Sequence, residues 1–194
     1  MFLRIVYPII YAFIWLFFPF KIIGRENVPD EAALICPNHS SYLDPVYVFF
    51  VLGRKAYPKI IAKKELFRFP VFRTVIKWLG AFPVARDGSD ISALKNCMRL
   101  LSNGQKLIIF PEGTRVRNDK QGGAKGGAGM LAVRASCPVL PIYIPVEKKI
   151  FRRTTVIVGQ PFVIKKTESR PSKEDYEAAS SEIYERIFAL KESR

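Results

Sequence analysis

The chain has one histidine and three cysteines among its 194 residues, and each scarcity excludes a class of chemistry. Cys36, Cys97 and Cys137 are odd in number and lack paired spacing, so a disulfide framework is not expected and the setting reads as reducing and cytoplasmic-side. So few nitrogen and sulfur ligands leave no cage for zinc or iron, and neither a metal nor a permanently bound cofactor is expected. Acidic residues are also short, with 17 Asp and Glu against 31 Lys and Arg for a net charge of +14. That imbalance calls for an anionic partner. Nucleic acid is a poor candidate, because the chain lacks zinc-ligand spacing, an aromatic RNA-binding signature and a basic zipper pattern. It lacks G-x-S-x-G and G-K-[ST] as well, so neither a nucleophile elbow nor a nucleotide-binding P-loop is expected.

Hydrophobic runs of spanning length are missing too. Residues 5–20, IVYPIIYAFIWLFFPF, form an uncharged run of 16 between Arg4 and Lys21. A bilayer needs roughly 20 such residues, and Pro8 and Pro19 interrupt this run. No small-residue cleavage site follows it, so it reads as a retained membrane-associating helix that lies in the interface or dips into one leaflet. The competing reading is a buried core helix. Residues 1–24 are therefore assigned to an anchor and 25–194 to a single domain, a length that can bury its own core.

What is present is an alternation of short apolar runs and helical patterns, the mark of an α/β layer fold, here a mixed sheet flanked by helices. Strands are expected at 32–36, 59–62, 81–84, 106–110, 139–145 and 155–158. Helices are expected at 45–52, 71–78, 90–102 and 128–135. A final helix starts at the S-x-x-D signal of Ser172 and Asp175, with Tyr176, Ala179, Ile183, Ile187 and Leu190 on one face. Residues 122–129, GGAKGGAG, hold five glycines in eight positions, which suits a mobile loop or a close backbone approach to a ligand.

His39 follows a strand in C-P-N-H-S-S-Y-L-D-P. Five residues turn a helix by roughly 500°, so on one helix His39 and Asp44 would face apart. They meet only across a turn, which Asn38, Ser40 and Ser41 favour. Asp44-Pro45 then reads as an N-cap and first helical residue. The plain account of Asp44 is that cap; the sharper one has it accept the Nδ1 proton of His39, leaving Nε2 as a base toward a substrate. Cys36 as a nucleophile is the rival, although a thiol in A-A-L-I-C suits a buried strand position better.

F-P-E-G-T-R, Phe110 to Arg115, directly follows the strand K-L-I-I-F, and strand-exit loops are favoured ligand positions. Gly113 permits close backbone approach, while Arg115 offers a planar donor fork for phosphate, helped by the Thr114 hydroxyl. An ordinary turn with a Glu112–Arg115 surface pair is the alternative. From Arg54 to Lys77 inclusive stand eight basic residues and one acid, Glu65, interleaved with Phe67, Phe69 and Phe72 and followed by Trp78. That mixture suits anionic headgroups, with a solvated charged face as the competing reading. Arg86, at the exit of the strand A-F-P-V, is a second candidate phosphate ligand.

Taken in order, these segments resemble the glycerolipid acyltransferases, most closely the bacterial 1-acylglycerol-3-phosphate acyltransferases, over about residues 20–165. N-H-S-S-Y-L-D resembles the family's H-x4-D motif, A-K-K-E-L-F-R-F-P with G-A-F-P-V-A-R its second region, F-P-E-G-T-R its third, and V-L-P-I-Y-I its fourth. The resemblance implies His39 as general base with Asp44 as its partner, Lys63 and Arg86 on the acceptor, and Glu112, Gly113 and Arg115 at the acceptor phosphate. It implies direct transfer of an acyl group from acyl-CoA or acyl carrier protein to the sn-2 hydroxyl of lysophosphatidic acid, at the cytoplasmic face of a membrane rich in anionic lipid. The readings left beside it are another acceptor, such as glycerol 3-phosphate, another lysophospholipid or a lyso-aminolipid, and a non-catalytic module that binds anionic lipid.

Overall fold

The computed structural model describes residues 2–53, 56–84, 91–116, 123–165 and 171–192. Its centre is a seven-stranded sheet in the order β1-β7-β6-β2-β5-β3-β4. The strands are β1 Phe20–Ile23, β2 Leu34–Pro37, β3 Lys59–Lys63, β4 Ala81–Val84, β5 Leu107–Ile108, β6 Val139–Tyr143 and β7 Thr154–Val158. All neighbours pair parallel except β6 with β7, which run antiparallel, so the sheet is mixed. Consequently the carboxyl ends of β2 to β6 share one edge with the amino ends of β7 and β1.

Helices cover both faces. Alternation along the strands explains the layering, because successive side chains point to opposite sides. Leu34, Cys36, Leu107, Val139 and Ile157 face α4 (Ile91–Ser102), α5 (Gly126–Ala135) and α6 (Lys173–Ala189). Ile35, Ile108, Leu140, Ile142 and Val156 face α1 (Phe2–Phe17) and α2 (Asp44–Leu52). A further helix, α3 (Pro70–Trp78), leads into the edge strand β4. The sequence DPVYVFFVL of α2 is almost wholly apolar, which suits a helix buried on nearly every side. Ser172 and Asp175 form the expected reciprocal capping box at the start of α6.

Two expectations need correction. The boundary at residue 24 cuts through the fold: Phe20–Ile23 is β1, paired in register with Thr154–Ile157, so those residues belong to the sheet. An apolar run carries the same local pattern whether it enters lipid or an edge strand, and only pairing with β7 separates the two. Pro8 does not end the first helix but lies inside α1, beyond its first turn, where it removes one i→i−4 hydrogen bond. The α1 side chains Tyr7, Ile10 and Ile14 pack on the α2 side of the core, with Ile14 6% exposed. Among the described residues, no helix is long and apolar enough to cross a membrane.

Candidate active site

The loop from β2 to α2 is fastened at several points before any side chain reaches the site. Asn38 is buried at the end of β2, and its amide clamps Ile144 beyond β6: Nδ2 donates to the Ile144 carbonyl at 2.8 Å and Oδ1 accepts the Ile144 N–H at 2.7 Å. The His39 N–H donates to Glu112 Oε2 at 2.6 Å, and the His39 carbonyl accepts the Val116 N–H at 2.8 Å. The backbone carrying the imidazole is thus tied to both neighbouring strand exits.

Asp44 then collects the turn. Its Oδ2 accepts the N–H groups of Ser40 and Ser41, each at 2.6 Å, and lies 3.1 Å from His39 Nδ1. The residue is not the N-cap the sequence suggested; Leu43 holds that position and Asp44 is the first helical residue, followed by Pro45. Its carboxylate turns back to the preceding loop instead of capping its own helix. On the other side Oδ1 meets Lys148 Nζ at 2.8 Å, in an ion pair whose side chains are 0% and 3% exposed. Lys148 also donates to Ser40 Oγ at 2.8 Å and to the Pro145 carbonyl at 2.6 Å. Burial by itself would raise the Asp44 pKa, but the His39 hydrogen bond, the Lys148 charge and the Ser41 N–H together outweigh it and hold the group below the ordinary aspartate range. An ionised acceptor at Nδ1 favours the tautomer with its proton there, which leaves Nε2 as the lone-pair nitrogen.

His39 stacks on Phe110, with ring centroids 4.1 Å apart, and lines a cavity of about 430 Å³. Pro45, Val46, Ile60, Leu66, Ile76 and Leu79 give that cavity apolar walls. Lys63, Thr114 and Arg115 line it too, as the sequence suggested. Arg115 lies over the Tyr42 ring, 3.7 Å from its centroid, a stacking that orients the guanidinium plane. Lys63 is half-exposed and 3.7 Å from Glu65. Among the described residues, no three His, Cys, Asp or Glu side chains converge as a metal ion would require.

Other site expectations change. Glu112, expected at the acceptor phosphate, is buried, 4% exposed, and its Oε2 accepts the His39 N–H, so it ties its own turn to the loop that carries the imidazole. Gly113 adopts φ +65°, and a Cβ there would come within 2.9 Å of the Lys125 side chain, so its role is to let this turn form. Arg86 lies outside the described residues. Cys36 is fully buried in β2 with its pKa pushed far up by that burial, so a thiolate nucleophile is rejected. The glycine stretch is not a loop at its end: Gly126 to Gly129 lie in α5, and the close backbone approach at Gly129 is to α6, where a Cβ would come within 2.1 Å of the Tyr176 carbonyl. Lys148 and Asn38 were missed as site residues, since neither carries a local signal tying it to a partner more than a hundred positions away.

Comparison with known proteins identifies the family and the fold. The family model described as Acyltransferase matches residues 19–145. A 1-acyl-sn-glycerol-3-phosphate acyltransferase of Bacillus subtilis is 31% identical over 179 residues, 88% of this chain and 87% of that protein. A chloroplastic 1-acyl-sn-glycerol-3-phosphate acyltransferase of Arabidopsis thaliana is 35% identical over 141 residues, 71% of this chain, which spans only 39% of the plant protein's length. The crystal structure of the 1-acyl-sn-glycerophosphate acyltransferase from Thermotoga maritima superposes with a TM-score of 0.68 at 28% identity, covering 95% of this chain and 76% of that one. A buried carboxylate orienting one histidine beside an apolar cavity, on a fold and sequence of this kind, places the chain in the acyltransferase family.

Proposed function

We propose that the chain transfers a fatty acyl group from an acyl thioester, acyl-CoA or acyl carrier protein, to the sn-2 hydroxyl of lysophosphatidic acid, giving phosphatidic acid. The observation that carries this reading is the 3.1 Å bond from His39 Nδ1 to a buried Asp44, beside a cavity that also holds Lys63 and Arg115. The cations suit a phosphate, and the apolar walls suit a hydrocarbon chain. His39 Nε2 takes the hydroxyl proton as the oxygen attacks the thioester carbonyl. The carbon–sulfur bond then breaks, the ester forms, and the proton passes from the imidazolium to the leaving thiolate. Asp44 stabilises the imidazolium in between, in the manner of a catalytic triad without its serine. The donor is a substrate, and no resident cofactor enters the scheme.

The same reading puts the protein at the cytoplasmic face of an anionic membrane, with α1 lying in one leaflet. Ile9, Phe13 and Leu16 recur at helical spacing on its outer face and are 62%, 55% and 57% exposed. A panel assay tests the proposal: purified protein, acyl-CoA or acyl carrier protein as donor, and lysophosphatidic acid, glycerol 3-phosphate and neutral lysolipids as acceptors. Turnover should be greatest with lysophosphatidic acid, and His39→Ala should lower it by about 10²–10⁴-fold while vesicle binding persists. Greater turnover on another acceptor would reassign the substrate. Full activity in His39→Ala would reject the base.

A further inference from the structure

The segment that follows Lys148 contains a cluster the catalytic scheme does not use. Lys149, Ile150, Phe151, Arg152 and Arg153 run consecutively between β6 and β7, all of them exposed. Ile150 is 57% and Phe151 68% exposed, an adjacent apolar pair set in water between cations. The pair is held there by the fold. Phe151 donates its N–H to the Phe17 carbonyl of α1 at 2.8 Å, and its ring lies 5.8 Å from that of Phe17. Its φ of +60° lies in the left-handed region, which bulky side chains rarely occupy.

Topology decides which way this tip faces. The loop leaves the carboxyl end of β6 and enters the amino end of β7, so it shares the sheet edge that carries His39. The end of α1 is on that edge as well, since the Thr154 N–H bonds the Pro19 carbonyl. Lys148, at the base of the tip, is the residue bonded to Asp44, so the tip stands at a fixed position relative to the imidazole. The opposite edge has a different character. There Asn27 Nδ2 donates to the Val158 carbonyl at the end of β7, Lys106 Nζ donates to the Asp30 backbone carbonyl, and Glu26, Asp30 and Glu31 stand together beside them.

We propose that Lys149–Arg153 is a second membrane contact, entering an anionic bilayer surface beside α1 and holding the mouth of the active site against the lipid that supplies its acceptor. The proposal rests on the lysolipid reading above. Ile150 and Phe151 occupy the boundary of headgroups and acyl chains, while Arg152 and Arg153 meet lipid phosphates, next to a Lys149 whose Nζ is 3.1 Å from the exposed Glu147 carboxylate. An acidic protein would satisfy the cations alone. A bilayer satisfies the cations and the apolar pair together, and the pair continues the uncharged outer face of α1.

The experiment uses the full chain with Ile150→Cys carrying an environment-sensitive NBD fluorophore, the native cysteines being buried. Asn103→Cys, on the opposite edge, is the control. Vesicles of phosphatidylcholine, with and without phosphatidylglycerol, are the probe. The label at 150 should shift to the blue and brighten with the anionic vesicles, and the label at 103 should not. Arg152→Glu with Arg153→Glu should weaken vesicle binding about 25-fold or more, at roughly fivefold for each cation near the surface, and leave turnover in detergent micelles unchanged. A label at 150 that stays in water on vesicles where the protein is bound and active overturns the contact and leaves the catalytic proposal standing. Loss of carrier-protein binding without loss of vesicle binding in the double variant also overturns it, in favour of a protein dock. A tip that enters vesicles in a protein with no turnover in micelles would reject the catalysis and keep the contact.

Discussion

Asp44 is a carboxylate that burial alone would drive toward its neutral form, and three kinds of neighbour keep it ionised: the imidazole, two backbone N–H groups and Lys148. Because its folded pKa lies below the unfolded one, it contributes stability above the ordinary aspartate range, and that contribution is lost as pH falls through the depressed folded value. Urea midpoints followed from neutral into acid should therefore drop at the acid end, and Asp44→Asn should flatten that part of the curve while starting lower. Lys148→Met tests the other half of the pair. Removing one partner of a buried ion pair costs about 3–5 kcal/mol, because the remaining charge is left without compensation. Denaturant titration should show that loss, and kinetics on the surviving folded fraction should show kcat falling with KM little changed, since Lys148 touches the dyad and not the cavity.

At the scale of elements, α5 and α6 pack with almost no space between their backbones. Gly129 sits 2.1 Å, by the position a Cβ would take, from the Tyr176 carbonyl, and the Ser180 hydroxyl is inserted between the helices. That hydroxyl accepts the Gly129 N–H at 2.8 Å and donates to the Lys125 carbonyl at 2.9 Å. Gly129→Ala sets two effects against each other. Alanine gains up to about 1 kcal/mol of helix propensity, but overpacking against rigid backbone costs about 1–3 kcal/mol. The clash is with backbone and cannot be relieved by a rotamer change, so the expected result is a lower melting temperature. A higher one would mean that α6 can move away freely. The seam also anchors the F-P-E-G-T-R turn, because the Lys125 N–H donates to the Pro111 carbonyl at 2.8 Å.

The whole molecule has a cationic and apolar edge on a chain of net charge +14, so its proposed association with membranes combines two forces of different range. Raising salt shortens the screening length from about 10 Å at 0.1 M to about 3 Å at 1 M and removes the electrostatic part. Burial of α1 and Ile150 is nearly insensitive to salt. Cosedimentation with anionic vesicles should therefore weaken with salt to a residual level, and the residue should persist on zwitterionic vesicles. Binding abolished by salt would show that no apolar side chain enters the bilayer.

Local chemistry was enough to read the helices and six of the seven strands in their order, the Ser172–Asp175 capping box, the turn that brings His39 to Asp44, and the cationic residues Lys63 and Arg115 of the cavity. Each of these depends on residues a few positions apart, whose spacing and side-chain chemistry carry the information directly. Tertiary structure alone decided the membership of Phe20–Ile23 in the sheet, the Asn38 clamp on Ile144, the reach of Glu112 to the His39 N–H, and the pairing of Lys148 with Asp44. Their partners are separated by 73 residues for Glu112 and by 106 for Asn38, brought together by the crossovers of a mostly parallel sheet. A lysine in V-E-K-K-I looks in sequence like any solvated cation; only the strand order places its ammonium against a buried carboxylate and its neighbours on the sheet edge that carries His39.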